Sequence, residues 1–115
     1  MISVLKEKYN GIYCVDLESD KAHRILMPSY LGYNENEDHF SLLLTKYIDD
    51  SVAPEFHRAV MSFLNYDALK RRLLENSVPQ ITYKKTNGET VILSVYNMDE
   101  KNTTVGNTLW VFARD

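Results

Sequence analysis

Three histidines and a single cysteine are the residues of this chain best equipped for metal or nucleophilic chemistry, and their spacing decides whether they can act together. A zinc site needs ligands that converge, usually through paired spacings such as His-x-x-x-His. His23, His39 and His57 are isolated from one another and none is paired with Cys14, so no metal site is expected. His39 and His57 fall where helices should start, and the positive end of a helix dipole disfavours an imidazolium there. Cys14 would need a base or a positive charge to become a thiolate. Its neighbours are Tyr13 and Val15, so it reads as a small packing residue. The acidic pairs Asp49-Asp50 and Asp99-Glu100 sit in expected loops without a supporting partner, which gives no acid–base pair. Asp16 with His23 is the one local combination of carboxylate and imidazole. Gly11, Gly32, Gly88 and Gly106 are too scattered for a phosphate-binding loop. These patterns predict a protein that is not an enzyme.

Bulk properties narrow the class further. A chain of 115 residues makes one domain with one core. Apolar residues at 44% and charged residues at 25% are the proportions of a globular protein. A net charge of -3 argues against general nucleic-acid binding, which calls for a basic face. One cysteine excludes an internal disulfide and fits a reducing compartment, so a cytoplasmic location is expected. No apolar run approaches the roughly 20 residues that span a bilayer. Residues 1–8 lack the basic and apolar regions of a signal peptide, and membrane insertion is not expected.

The elements that must position these side chains follow from periodicity. Residues 1–8 suit a short amphipathic lead-in helix, ahead of a single domain over 9–115. Residues 11–17 and 23–27 are rich in β-branched and aromatic types and read as two strands joined by a polar turn at 18–21, with Pro28 ending the second. Asp16 is placed to bond backbone amides of that turn. Residues 29–37 are polar and suit a loop or a single helical turn. Asp38 offers an N-cap, and Phe40, Leu43, Leu44, Tyr47 and Ile48 form one helical stripe that Asp49-Asp50-Ser51 should break. Pro54 fits the first turn of a second helix carrying Phe56, Ala59, Val60, Phe63 and Leu64. Asn65 can cap a third helix over 66–75, with Leu69 and Leu73 inward and Lys70, Arg71 and Arg72 on a solvated face. Three strands follow. Asn87-Gly88 between the first two is the strongest short hairpin signal and predicts a type I′ turn. A polar loop over 98–107 leads to the last strand. Tyr13, Tyr47, Tyr83 and Tyr96 fall on strands or helix stripes and are expected in or beside the core.

The order strand–strand–helices–three strands, with its local motifs, resembles a PAS domain, the sensory module of bacterial signalling proteins. Residues 11–20 look like the opening PAS strand with its Asp-terminated turn. Residues 47–58 resemble the hP-E-D-R segment between helices, and residues 62–73 are similar to the helix before the meander in PAS modules attached to diguanylate cyclases. Residues 109–115 resemble the final strand leading into the D-x-T exit motif, as expected of a fragment of a longer protein. Order and spacing together carry the match. The resemblance implies an α+β fold with a five-stranded antiparallel sheet of order 2-1-5-4-3 and helices packed on one face. It also implies an attached C-terminal effector, a diguanylate cyclase first and a histidine kinase next, and a homodimer to which the lead-in helix contributes. Flavin-binding relatives carry an Asn-Cys-Arg helix motif and haem-binding relatives a histidine on the helix before the meander. Neither is present, so both cofactors are disfavoured and any ligand is unidentified.

A small-molecule pocket of such a domain would lie between the inner face of the sheet and the central helices. Cys14, Ile25, Leu43, Tyr47, Leu93 and Val111 are its candidate lining residues. Strand alternation leaves open which face each occupies, and the same six suit a closed core. The alternative is a stand-alone cystatin-like or nuclear-transport-factor-like α+β protein, acting as a small-molecule binder or small enzyme through Asp16 and His23. A third reading is a pure interaction domain using its sheet face.

Overall fold

A computed structural model describes residues 9–26, 36–75, 77–98 and 106–114. The expected lead-in helix over 1–8, the proline at 28 and most of the 98–107 loop lie outside them. The chain runs β1 (Tyr9–Asp16), β2 (Lys21–Leu26), β3 (Asn36–Glu37), α1 (Phe40–Ser51), a 3-10 turn (Pro54–Phe56), α2 (His57–Phe63), α3 (Tyr66–Leu74), β4 (Gln80–Lys84), β5 (Thr90–Asn97) and β6 (Asn107–Arg114). All strand pairs are antiparallel, and the sheet order is β3-β2-β1-β6-β5-β4. Without the two-residue β3, the five long strands take the order 2-1-5-4-3 that the PAS resemblance implies. β3 itself corrects the expectation of loop or helical turn at Asn36 and Glu37. Its two residues pair with Ala22 and His23 at the exposed edge of β2.

Alternation on each strand sends one set of side chains toward the helices. Tyr13 and Val15 of β1, Val91, Leu93 and Val95 of β5, and Thr108, Trp110 and Phe112 of β6 are all buried. The expected stripe on α1 meets them: Phe40, Leu43, Leu44, Tyr47 and Ile48 are buried. So are Val60 and Phe63 of α2 and Leu69 and Leu73 of α3. Aromatic rings knit the layers. Phe40 stands edge-on to Trp110 at 5.3 Å, and Tyr47 meets Phe112 at 6.1 Å and Tyr83 at 6.4 Å between centroids. Such tilted contacts are the favoured geometry for ring quadrupoles.

Several local expectations change in detail. α1 continues through Asp49 and Asp50 to Ser51, and the chain turns extended only at Val52. Val52 bridges to Lys85, and the amide of Ala53 donates to the carbonyl of Lys84, so the β4 edge finishes the helix rather than the acidic pair. Pro54 takes the first turn of a short 3-10 segment, as its missing N–H allows. Ala59 is exposed and Tyr96 is 41% exposed, because each falls on the solvent side of its element. The β4–β5 hairpin is not a two-residue type I′ turn. Gly88 alone has positive φ, at 88°, while Asn87 does not. The amide of Gly88 donates to the carbonyl of Lys85, and the amide of Lys85 donates to Glu89. That is a type I turn followed by a left-handed glycine, the three-residue hairpin with a bulge. Asn87 contributes by accepting the Glu89 amide on its side-chain oxygen.

Candidate functional site

The β1–β2 turn carries a polar residue that gathers several partners from other elements. Asp20 has φ of 59°, a left-handed conformation that aspartate tolerates better than most residues. Its carbonyl accepts the Phe40 amide at 2.9 Å. Its carboxylate accepts the Ser41 amide at 2.9 Å, the Ser41 hydroxyl at 2.5 Å and the Tyr66 hydroxyl at 2.6 Å. α1 was expected to be capped by Asp38. Its N-cap is His39, which makes no side-chain cap, and Asp20 satisfies the free amides from another element. Local sequence gives no sign of this because the cap arrives through tertiary contact. The α3 cap was legible: Asn65 accepts the Ala68 amide at 3.1 Å.

Tyr66 joins this node to the sheet. Burial, followed by the hydrogen bond and charge of Asp20, pushes its hydroxyl far above the usual 10.0, so it stays a protonated donor. Its ring lies 6.4 Å from Trp110 at 79°. The Trp110 indole N–H donates to the Thr108 hydroxyl at 2.8 Å, which donates to the carbonyl of Val15 at 2.8 Å. The sequence hint for this relay was the i, i+2 spacing of Thr108 and Trp110, which puts both on one strand face.

Two depressions open beside these elements. A cleft of about 240 Å³ lies between α1 and the α2–α3 junction, walled by Leu44, Ile48, Met61 and Leu64 with Ser41, Thr45, Asn65 and Tyr66 around it. A second, of about 340 Å³, lies on the outer side of β1 and β2 and takes in Cys14, Asp16, Lys21, His23, Asp38 and Asn107. It brings Asp16 and His23 to one place. Asp16 accepts the Glu18 amide at 2.9 Å, and that bond, ahead of contacts with Ser19 and the charge of Lys70, holds its carboxyl below the usual range. Lys70 is also the exception to the solvated face expected of α3, since its ammonium pairs with Glu18 at 2.9 Å.

The six candidate lining residues separate. Leu43, Tyr47 and Leu93 are buried together under the helices. Cys14 and Val111 are half-buried on strand positions that alternate with the inward set, so they occupy the outer face. The side chain of Ile25 lies outside the described residues. Cys14 was expected in the core. Instead its Sγ sits 3.7 Å from the sulfur of Met98, and partial burial with the charge of Asp16 pushes the thiol up, away from nucleophilic character. Neither depression reaches Leu43, Tyr47 or Leu93. The hydroxyls of Tyr47 and Tyr83 meet at 2.5 Å, and among the described residues no buried side-chain nitrogen or oxygen lacks a partner. Among the described residues no group of three histidine, cysteine or acidic side chains is placed to hold a metal ion, and no helix is long and apolar enough to cross a membrane.

The strand pairs define the class: an α+β domain with five long antiparallel strands in the order 2-1-5-4-3, the order that the PAS resemblance implies, and its helices on one face. No protein-family model matches the chain, and no curated protein matches it. Among solved structures it is similar to a sensory box histidine kinase/response regulator from Burkholderia thailandensis E264. That likeness has a TM-score of 0.47 and 14% identity, and it covers 90% of this chain and 75% of that one.

Proposed function

We propose that this domain is a non-enzymatic sensory module that biases an attached output domain in the cytoplasm. A diguanylate cyclase is the favoured output and a histidine kinase the next. The observation that carries the reading is the position of β6. It runs between β1 and β5 in the middle of the sheet, its inner face bears Trp110 and Phe112, and its outer end is Arg114. A change of packing beneath β6 would be delivered to whatever polypeptide follows it. Two packings that differ by a few kcal/mol are enough for a ligand or a second copy to select between them. Ligand binding and homodimerisation are the two routes by which such a bias would arise.

Native mass spectrometry of the purified protein tests the reading, followed by a denaturing spectrum of the same sample. A mass excess that disappears on denaturation, or a dimer, is the expected result. A bare monomer at every concentration, with unchanged output activity when the domain is deleted from the full-length protein, would overturn it. A second reading is kept for one observation, the meeting of Asp16, His23 and Cys14 in the outer depression. A small binding or catalytic site there predicts that replacing Asp16 and His23 together with alanine abolishes ligand uptake or turnover.

A further inference from the structure

We propose that the cleft between α1 and the α2–α3 junction binds a small apolar molecule with a hydrogen-bond-donating, cationic head, a primary amine being the simplest case, and that Tyr66 and Trp110 pass its occupancy to β6. The proposal rests on the sensory reading and names the site and ligand class for it.

The chemistry follows from where the protons go. A hydroxyl has one donor and two acceptor lone pairs. The Ser41 hydroxyl donates to Asp20 at 2.5 Å and the Tyr66 hydroxyl to Asp20 at 2.6 Å, while the Thr45 hydroxyl donates to the Ser41 carbonyl at 3.0 Å. All three protons are committed, so what these oxygens have left is lone pairs. Behind two of them stands the Asp20 carboxylate, and the nearby Lys70 ammonium is engaged by Glu18. The rim is therefore rich in acceptors and backed by negative charge. Asn65 adds one donor, since its side-chain oxygen is taken by the Ala68 amide and its NH₂ remains. Leu44, Ile48, Met61 and Leu64 supply an apolar wall. A volume of about 240 Å³ is below the roughly 300 Å³ where pockets for drug-sized molecules begin, so a single ring or short chain is the right scale.

The same side chains lead inward. A head group drawn to the Tyr66 oxygen acts on a ring that packs on Trp110, and Trp110 is also held edge-on by Phe40, whose amide is bound to Asp20. Occupancy thus loads both rings that contact the one indole on β6.

Trp110 is the only tryptophan in the chain, so its fluorescence reports the relay directly. The experiment titrates the protein with 2-phenylethylamine and, separately, with phenylacetate, following Trp110 emission and backbone amide NMR shifts. The expected result is saturable binding of the amine, shifts centred on residues 41–48 and 61–66, altered emission, and no saturation by the anion. Thr45→Val, an exposed near-isosteric change, should weaken the amine about tenfold through loss of one charge-assisted acceptor. Met61→Phe should weaken it by filling the wall. Equal or tighter binding of phenylacetate, absence of saturation by the amine, or indifference to both variants would overturn the site. Binding with unchanged Trp110 emission would overturn the relay. A cofactor or dimer found in the native spectrum while the amine fails would sink the cleft and leave the sensory reading standing.

Discussion

Asp20 concentrates three jobs that proteins usually distribute. It adopts the left-handed turn conformation, supplies the missing cap of α1 and holds the Tyr66 hydroxyl. Removing the carboxylate leaves the Ser41 amide, the Ser41 hydroxyl and one half-buried phenol without their acceptor, while the Phe40 amide keeps the backbone carbonyl of residue 20. Asp20→Ala is expected to destabilise the fold by about 1–3 kcal/mol, the sum of a lost cap and an unsatisfied hydroxyl. Asp20→Asn, which tolerates positive φ and keeps one acceptor, should recover a good part of that loss. Urea unfolding of the three proteins checks this, and an alanine variant as stable as the parent would remove Asp20 from its role. The sequence showed a turn at 18–21 but not this residue's reach, because Ser41 and Tyr66 meet it only after the layers have packed. Asp16 was legible for the opposite reason. Its bond to the Glu18 amide spans two residues and needs nothing but the turn itself.

Elements were legible where periodicity and burial agree. The α1 stripe, the inward Leu69 and Leu73 of α3, the Asn65 cap and the three late strands all appear as read. Boundaries and turn types were less so, since neighbours decide them. Asp49 and Asp50 stay helical because the β4 edge draws the chain extended only at Val52. The Asn-Gly hairpin signal found the right hairpin, while the three-residue loop transferred the left-handed requirement to Gly88 alone. Open space surrounds the Cβ position of Gly88, so its backbone conformation is the sole objection to a side chain there. Gly88→Ala should accordingly cost about 1–2 kcal/mol, the strain of a left-handed L-residue, with no change in core packing. Thermal unfolding together with near-ultraviolet circular dichroism separates these effects. An unchanged midpoint would mean that the loop relaxes into another turn.

At the scale of the whole molecule, the fold is held by its middle. β1 and β6, contributed by opposite parts of the sequence, pair along nearly their full length, and β6 also pairs with β5. Amides of β1, β5 and β6 are therefore expected to exchange with deuterium most slowly, and those of the two-residue β3 fastest, because central strands open only with the fold. Exchange in β6 as fast as in β3 would contradict that hierarchy. The strand order was legible only through the family resemblance, since nothing in local periodicity says which strands meet. The site was less legible. Of the candidate lining residues, Leu43, Tyr47 and Leu93 lie in the buried cluster under the helices and Cys14 and Val111 on the outer face, while the proposed cleft lies beside α1. Clefts depend on how helices are set against one another, and no residue pattern of this length encodes that angle.

The pairing of Tyr9 with Ala113 has a mechanical meaning. The outer ends of β1 and β6 leave the sheet side by side, so opposed forces applied to them would part the two strands like a zipper, one hydrogen-bonded rung after another. A load introduced there meets a graded resistance, and the first rungs to yield lie beyond Trp110. Small tensions could loosen the strand end without opening the core, whereas the same tension across strands pulled in shear would have to break every rung at once.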